Sequence, residues 1–271
     1  MKAPARDIGV RAASALVLAP AAALATWAGG WWFLALMSAA CVLLASEWAT
    51  MSAPRAWRVV AVTVGLALLA AVATTALGRL SIGLVILVVG AGAAFAFAKW
   101  RGQEGIDAAY GVLYLGWPAI LIIWLRDQGA PQGLTWTILV FVVAWASDIM
   151  AYLVGSMIGG PKLWPRFSPN KTWSGFIGGL AAGVLAAMGC AYWLDMEPLT
   201  VGWAALLGLA AALATMAGDL WESALKRRFG VKDAGAIIPG HGGLLDRVDG
   251  MMFAIVIVAV GRLLVLLVER A

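Results

Sequence analysis

Histidine is nearly absent from this chain: His241 is the only one, and the two cysteines, Cys41 and Cys190, stand singly inside apolar runs. No pair of these residues has metal-ligand spacing, which argues against a zinc site, and two isolated thiols give no disulfide framework. Charge is scarce as well. Asp, Glu, Lys and Arg make up 12% of the residues, about half the share in a soluble domain. Also missing are a low-complexity linker, any polar stretch long enough to bury a core of its own, and any visible repeat of one half of the chain in the other. The first two absences exclude a separate soluble domain. The third speaks against a transporter built from repeated halves.

What is present is apolar length. Hydrophobic residues make up 63% of the 271 positions, and runs of the roughly 20 residues needed to cross the hydrocarbon as helix occur at 10 to 29, 30 to 50, 57 to 77, 80 to 98, 109 to 125, 133 to 156, 173 to 194, 199 to 221 and 250 to 268. The expected fold is therefore all-α, a polytopic integral membrane protein of about nine transmembrane helices. The first run could be a cleaved leader. The two-residue turn at Gly29 and Gly30 before the next run suits a helical hairpin better. With the N-terminus inside and the C-terminus outside, fifteen Lys and Arg fall on inner segments and four on outer ones, as cytoplasmic loops require. A net charge of +5 and a pI near 9.5 thus reflect topology and anionic lipid headgroups, with no nucleic acid implied. The segments 99 to 108 and 157 to 172 read as loops from their Gly, Pro and charge content.

Ionisable groups within spans are costly and mark function by default. Here they are all acidic: Glu47, Asp148, Asp219 and Glu222. Glu47, beside Trp48, is expected at the membrane interface, whereas Asp148 lies about eight residues short of its span's end and is the better functional candidate. Carboxylates gathered at one depth need cations, either the Lys and Arg of inner loops or bound metal.

Helical spacing organises the stretch LKRRFGVKDAGAIIPGHGGLLDRVDG, residues 225 to 250. Asp219 and Glu222 are three apart, as are Asp246 and Asp249, so each pair projects from one helix face. Two such pairs suit the oxygen-loving Mg²⁺. Between them the PGHGG turn is expected to present free backbone amides beside the N-terminus of the last span, a place suited to an anion. A second inner segment, FSPNKTWSGFIGG, offers Ser168, Asn170, Lys171 and Thr172 just before a span. It reads as a phosphate cradle, though it lacks the Walker A glycines. The chain is expected to be one transmembrane domain, 1–271, with N-terminal helices in 1–130 and catalytic helices and loops in 131–271.

SALKRRFGVKDAGAIIPGHGGLLDRVD (223 to 249) resembles the signature of the phosphatidate cytidylyltransferase, or CDP-diacylglycerol synthase, family. SDIMAYLVGSMIGG (147 to 160) and SPNKTWSGFIGG (168 to 179) are similar to two further segments of that family, and Glu47-Trp48 to another. The resemblance implies an enzyme of phospholipid biosynthesis that joins CTP to phosphatidic acid, releasing CDP-diacylglycerol and pyrophosphate with Mg²⁺, a second cation being left open. It implies catalytic roles for Asp219, Asp246, Asp249, Lys226, Arg227, Lys232, His241 and Arg247, with Asp219, Asp246, Asp249 and Glu222 as metal ligands. Substrate or nucleotide contacts fall to Ser168, Asn170, Lys171, Thr172, Asp148, Ser223, Asp233, Gly240, Gly242 and Gly243. The expected partners are CTP, phosphatidic acid and the lipid bilayer, a homodimer being left open. The expected place is a bacterial-type cytoplasmic (inner) membrane with the active site facing the cytoplasm. The nearest rival reaction is CTP-dependent phosphorylation of a lipid alcohol, and the rival of another class is transport.

Overall fold

The computed structural model describes residues 20–129, 131–194, 196–235 and 242–270. Residues 20–28 form α1, the described part of the expected first span. Eight further helices follow: α2 (Gly30–Ser52), α3 (Trp57–Ala76), α4 (Leu80–Trp100), α5 (Gly105–Arg126), α6 (Gln132–Ile158), α7 (Trp173–Trp193), α8 (Val201–Arg228) and α9 (Leu245–Glu269). All eight are long and apolar enough to cross a membrane, so the chain is an all-α polytopic membrane protein. The turn between α1 and α2 falls on Gly29 and Gly30, both with positive φ, a conformation that glycine adopts without a Cβ penalty.

Two of the expected loops are more ordered than their composition suggests. The first shrinks to residues 101–104, because α5 begins at Gly105. A Cβ there would lie 2.8 Å from the Phe95 carbonyl oxygen, so the missing side chain lets α5 start against α4. Within 157 to 172, β1 (Lys162–Trp164) and β2 (Ser168–Thr172) pair antiparallel, Lys162 opposite Thr172 and Trp164 opposite Ser168. Gly and Pro content correctly marks the turns of this segment but hides a hairpin whose strands are too short to show alternation. Helix α8 also runs seven residues past its expected end. Its 28 residues span about 42 Å, more than the roughly 30 Å of hydrocarbon, so its last turns can be polar.

The chain divides into two compact units. In the unit of Met1–Asp127 and Phe229–Arg247, the core surrounds Trp48, which is wholly buried. Its Nε1 donates to the Asp107 carbonyl at 3.0 Å, and the rings of Tyr110, Tyr114 and Phe229 lie 5.6, 5.6 and 5.8 Å from its own. Arg126 donates from Nε to the Thr26 carbonyl at 2.7 Å and from Nη2 to that of Trp27 at 2.9 Å, satisfying carbonyls at the end of α1 that the helix leaves open.

The unit of Gln128–Arg228 and Val248–Ala271 is packed through small residues, as membrane helices often are. A Cβ on Gly175 would sit 3.2 Å from Gly155 Cα, bringing the backbones of α6 and α7 together, and one on Gly208 would sit 2.8 Å from the Gly183 carbonyl oxygen. Helices α8 and α9 approach in the same way, since a Cβ on Gly218 would lie 2.7 Å from the Asp249 carbonyl oxygen. Large aromatic side chains near helix ends, including Trp31, Trp32, Trp193 and Trp203, are exposed, in keeping with interfacial belts.

Candidate active site

The close approach of α8 and α9 has a chemical consequence. Asp219 directly follows Gly218, and Asp249 directly precedes Gly250, whose own Cβ would fall 2.7 Å from the Thr215 carbonyl oxygen. Asp249 therefore lies in the electrostatic field of Asp219 and Glu222, and also in that of Asp148 from α6. Glu222 is buried and paired with Lys226 one turn later on α8, at 2.5 Å. Lys171, carried by β2, forms an ion pair with Asp219. The hairpin thus delivers a cation to the acids.

The cluster brings four carboxylates, Asp148, Asp219, Glu222 and Asp249, together with the ammonium groups of Lys171 and Lys226. Like charges at such range are stable only with compensation. Among the described residues no group of three or more acidic, histidine or cysteine side chains is drawn into a cage for a metal ion. An all-oxygen donor set suits a hard divalent cation that completes its shell with water and substrate phosphates, as Mg²⁺ commonly does.

Thr172 has a structural duty besides its expected place in the cradle. Its buried hydroxyl accepts from the Gly175 amide at 3.2 Å, capping α7, as threonine does at helix starts. Of the other residues in that segment, Asn170 is exposed and Ser168 half-buried. Ser223 is half-buried on α8, and Arg227 is exposed in its last turn.

In the other unit, Asp246 gathers the signature loop. Its carboxylate accepts from the Gly243 amide at 2.9 Å and from that of Ala234 at 3.1 Å. The bond to Gly243, three residues back, is one half of a capping box. Glu47 completes the arrangement: Leu244 donates to its Oε1 and Leu245 to its Oε2, each at 2.8 Å. Of the amides expected to await an anion, those of Gly243, Leu244 and Leu245 are therefore taken by two carboxylates of the chain itself, while 239–241 lie outside the described residues. Glu47, expected beside solvent and headgroups, is buried within the protein at 1% exposed. Gly242 has φ +83, and a Cβ on Gly243 would lie 2.9 Å from the Glu47 carboxylate oxygens, so glycine is required at both for physical reasons. Lys232, Asp233 and Arg247 are exposed. Gly240 and His241 lie outside the described residues.

The family model that matches this chain is described as "Cytidylyltransferase family" and covers residues 9–264. The chain is 38% identical over 257 residues to proteins named phosphatidate cytidylyltransferase from Brucella abortus and Brucella melitensis, spanning 92% of this chain and 90% of each relative. A protein of the same name from Staphylococcus aureus is 40% identical over 153 residues, 55% of this chain and 57% of that protein.

Proposed function

Because this chain belongs to the cytidylyltransferase family, we propose that it catalyses the reaction for which its curated relatives are named, transfer of the cytidylyl group of CTP to phosphatidic acid. The observation that carries this reading is the near full-length match, 90% of the Brucella proteins. The acid cluster of α6, α8 and α9 supports it, because phosphoryl chemistry calls for negative groups that can hold a cation beside others that can hold phosphate.

An oxygen of the phosphatidic acid phosphate attacks the α-phosphorus of CTP. The bond from that phosphorus to the bridging oxygen breaks, and pyrophosphate leaves. The second ionisation of a phosphate monoester lies near pH 6, so the attacking oxygen is largely deprotonated at neutral pH and no protein base is needed. His241 is assigned hydrogen bonding to phosphate, not proton abstraction. Asp219 and Asp249, with Glu222 beside them, are the residues that would hold Mg²⁺, and Asp246 is assigned to it by the family signature. When bound, the cation supplies charge neutralisation on the transferring phosphate and the leaving group. Lys171, held against Asp219, is placed to exchange that carboxylate for a phosphate oxygen. Lys226, Lys232, Arg227 and Arg247 are further candidates for the triphosphate or the lipid phosphate, with arginine favoured where two oxygens are gripped at once.

The test is a product assay with detergent-solubilised protein, CTP and phosphatidic acid. Release of pyrophosphate together with CDP-diacylglycerol is expected. Release of CDP instead would identify a lipid kinase, and no turnover of CTP would remove the chain from this chemistry altogether.

The proposed location is a bacterial-type inner membrane, with the N-terminus and the site on the cytoplasmic side. The Lys and Arg distribution supports this. A reporter fused after Ala271 should be periplasmic, and one inserted near Lys162 or Lys232 cytoplasmic. A cytoplasmic C-terminus would refute the orientation.

A further inference from the structure

Glu47 is the least expected member of the signature loop, because it lies 197 residues before Leu244 in sequence and on a different helix. A helix start leaves backbone amides without partners inside the helix, and these are usually answered by a local Ser, Thr, Asn or Asp. At the start of α9 the sequence offers Gly242, Gly243 and Leu244 instead, none with a capping side chain. Asp246 reaches back to one amide. The next two go to the two oxygens of Glu47, one each.

The surroundings are fitted to that carboxylate. A Cβ on Gly235 would lie 2.8 Å from Glu47 Oε1, and one on Gly243 would lie 2.9 Å from both oxygens and from the Gly235 amide nitrogen. Both flanks of the loop thus close on one side chain. A carboxylate is the group the geometry calls for. Two N–H donors face its two oxygens, so both must accept, and a negative charge at a helix N-terminus is favoured by the helix dipole. Glutamine would turn an NH₂ group toward one of these donors.

We propose that Glu47 is a positioning residue for the reaction: a remote N-cap that fixes the start of α9, residues 242–247, and with it the carboxylate of Asp246. This rests on the function proposed above, in which Asp246, Lys232 and Arg247 serve metal and phosphate. Glu47 itself touches neither. Loosening it should weaken the grip on Mg²⁺ and CTP before it unfolds the protein.

Two measurements on Glu47→Gln decide this, with Leu68→Ala as a comparison that opens the wholly buried core of the same unit away from the loop. In hydrogen exchange of the whole protein in detergent, amides of the peptide covering 242–247 should exchange about tenfold faster or more in Glu47→Gln, the scale of losing a charge-assisted hydrogen bond. In Leu68→Ala they should not. In the product assay, the Mg²⁺ concentration for half-maximal activity should rise about tenfold in Glu47→Gln and stay at the wild-type value in Leu68→Ala. Unchanged exchange in Glu47→Gln overturns the proposal. So does an activity loss with the Mg²⁺ requirement unmoved, since that is what a merely structural residue would give. If the wild-type protein made no CDP-diacylglycerol, the functional reading would fall, while the exchange experiment would still decide whether Glu47 holds the loop.

Discussion

Asp249→Asn is expected to leave the protein inserted and folded while lowering pyrophosphate release at least about a hundredfold, the scale of losing one preorganised electrostatic stabiliser. Asp219→Asn should do the same. The opposite sign is expected for stability. Asp249 is repelled by Asp219, Glu222 and Asp148, while Lys171 pairs with Asp219 and Lys226 with Glu222. Removing one of its charges relieves a cost that the unliganded protein bears, so thermal denaturation should occur at an equal or higher temperature. Such opposition between stability and activity is characteristic of groups retained for function. Near-normal turnover with an unchanged Mg²⁺ requirement would remove these residues from the site. A large fall in thermal stability would show that the carboxylate is structural.

Gly218→Ala should be nearly as damaging, although it adds one methyl and no charge. The new Cβ would meet the Asp249 carbonyl oxygen at 2.7 Å, Phe253 Cδ2 at 2.8 Å and Gly250 Cα at 3.0 Å. Two of these atoms are backbone and cannot swing aside, so α8 and α9 must part. The residues flanking the contact are Asp219 and Asp249. Displacing reacting groups by about 1 Å can cost roughly a hundredfold in rate, and a loss of that order in kcat is expected with the protein still in the membrane. Gly202→Ala, at the other end of α8 with open space around its Cβ, should be close to wild type. Equal activity in the two variants would mean that the glycine contact does not set the spacing of the acids.

The spans were legible because crossing hydrocarbon as helix demands a length and polarity that few other structures share. The paired carboxylates were legible for a similar reason, since three-residue spacing on a helix fixes a common face. Other features depend on partners that no local pattern announces. Glu47 beside Trp48 near a span's end looks like an interfacial pair, and only the amides of Leu244 and Leu245 make it a cap. Gly218 and Gly250 look like two of many small residues until the helices they join are known. The cap by Thr172 is legible in the sequence, since a threonine directly before a helical run is an N-cap signal in its own right.

The bond between Glu47 and the start of α9 also carries a clock. The amide of Leu244 is made 197 residues after Glu47, which at about 5 to 20 residues per second is some 10 to 40 s of synthesis. During that interval α2 already exists, yet the permanent partners of its carboxylate do not. The nascent chain must keep Glu47 in contact with water or with temporary partners until the last helix begins. A ribosome stalled before Leu244 therefore holds a protein whose N-terminal helices are complete in sequence but still lack two of the hydrogen bonds that let them bury that charge.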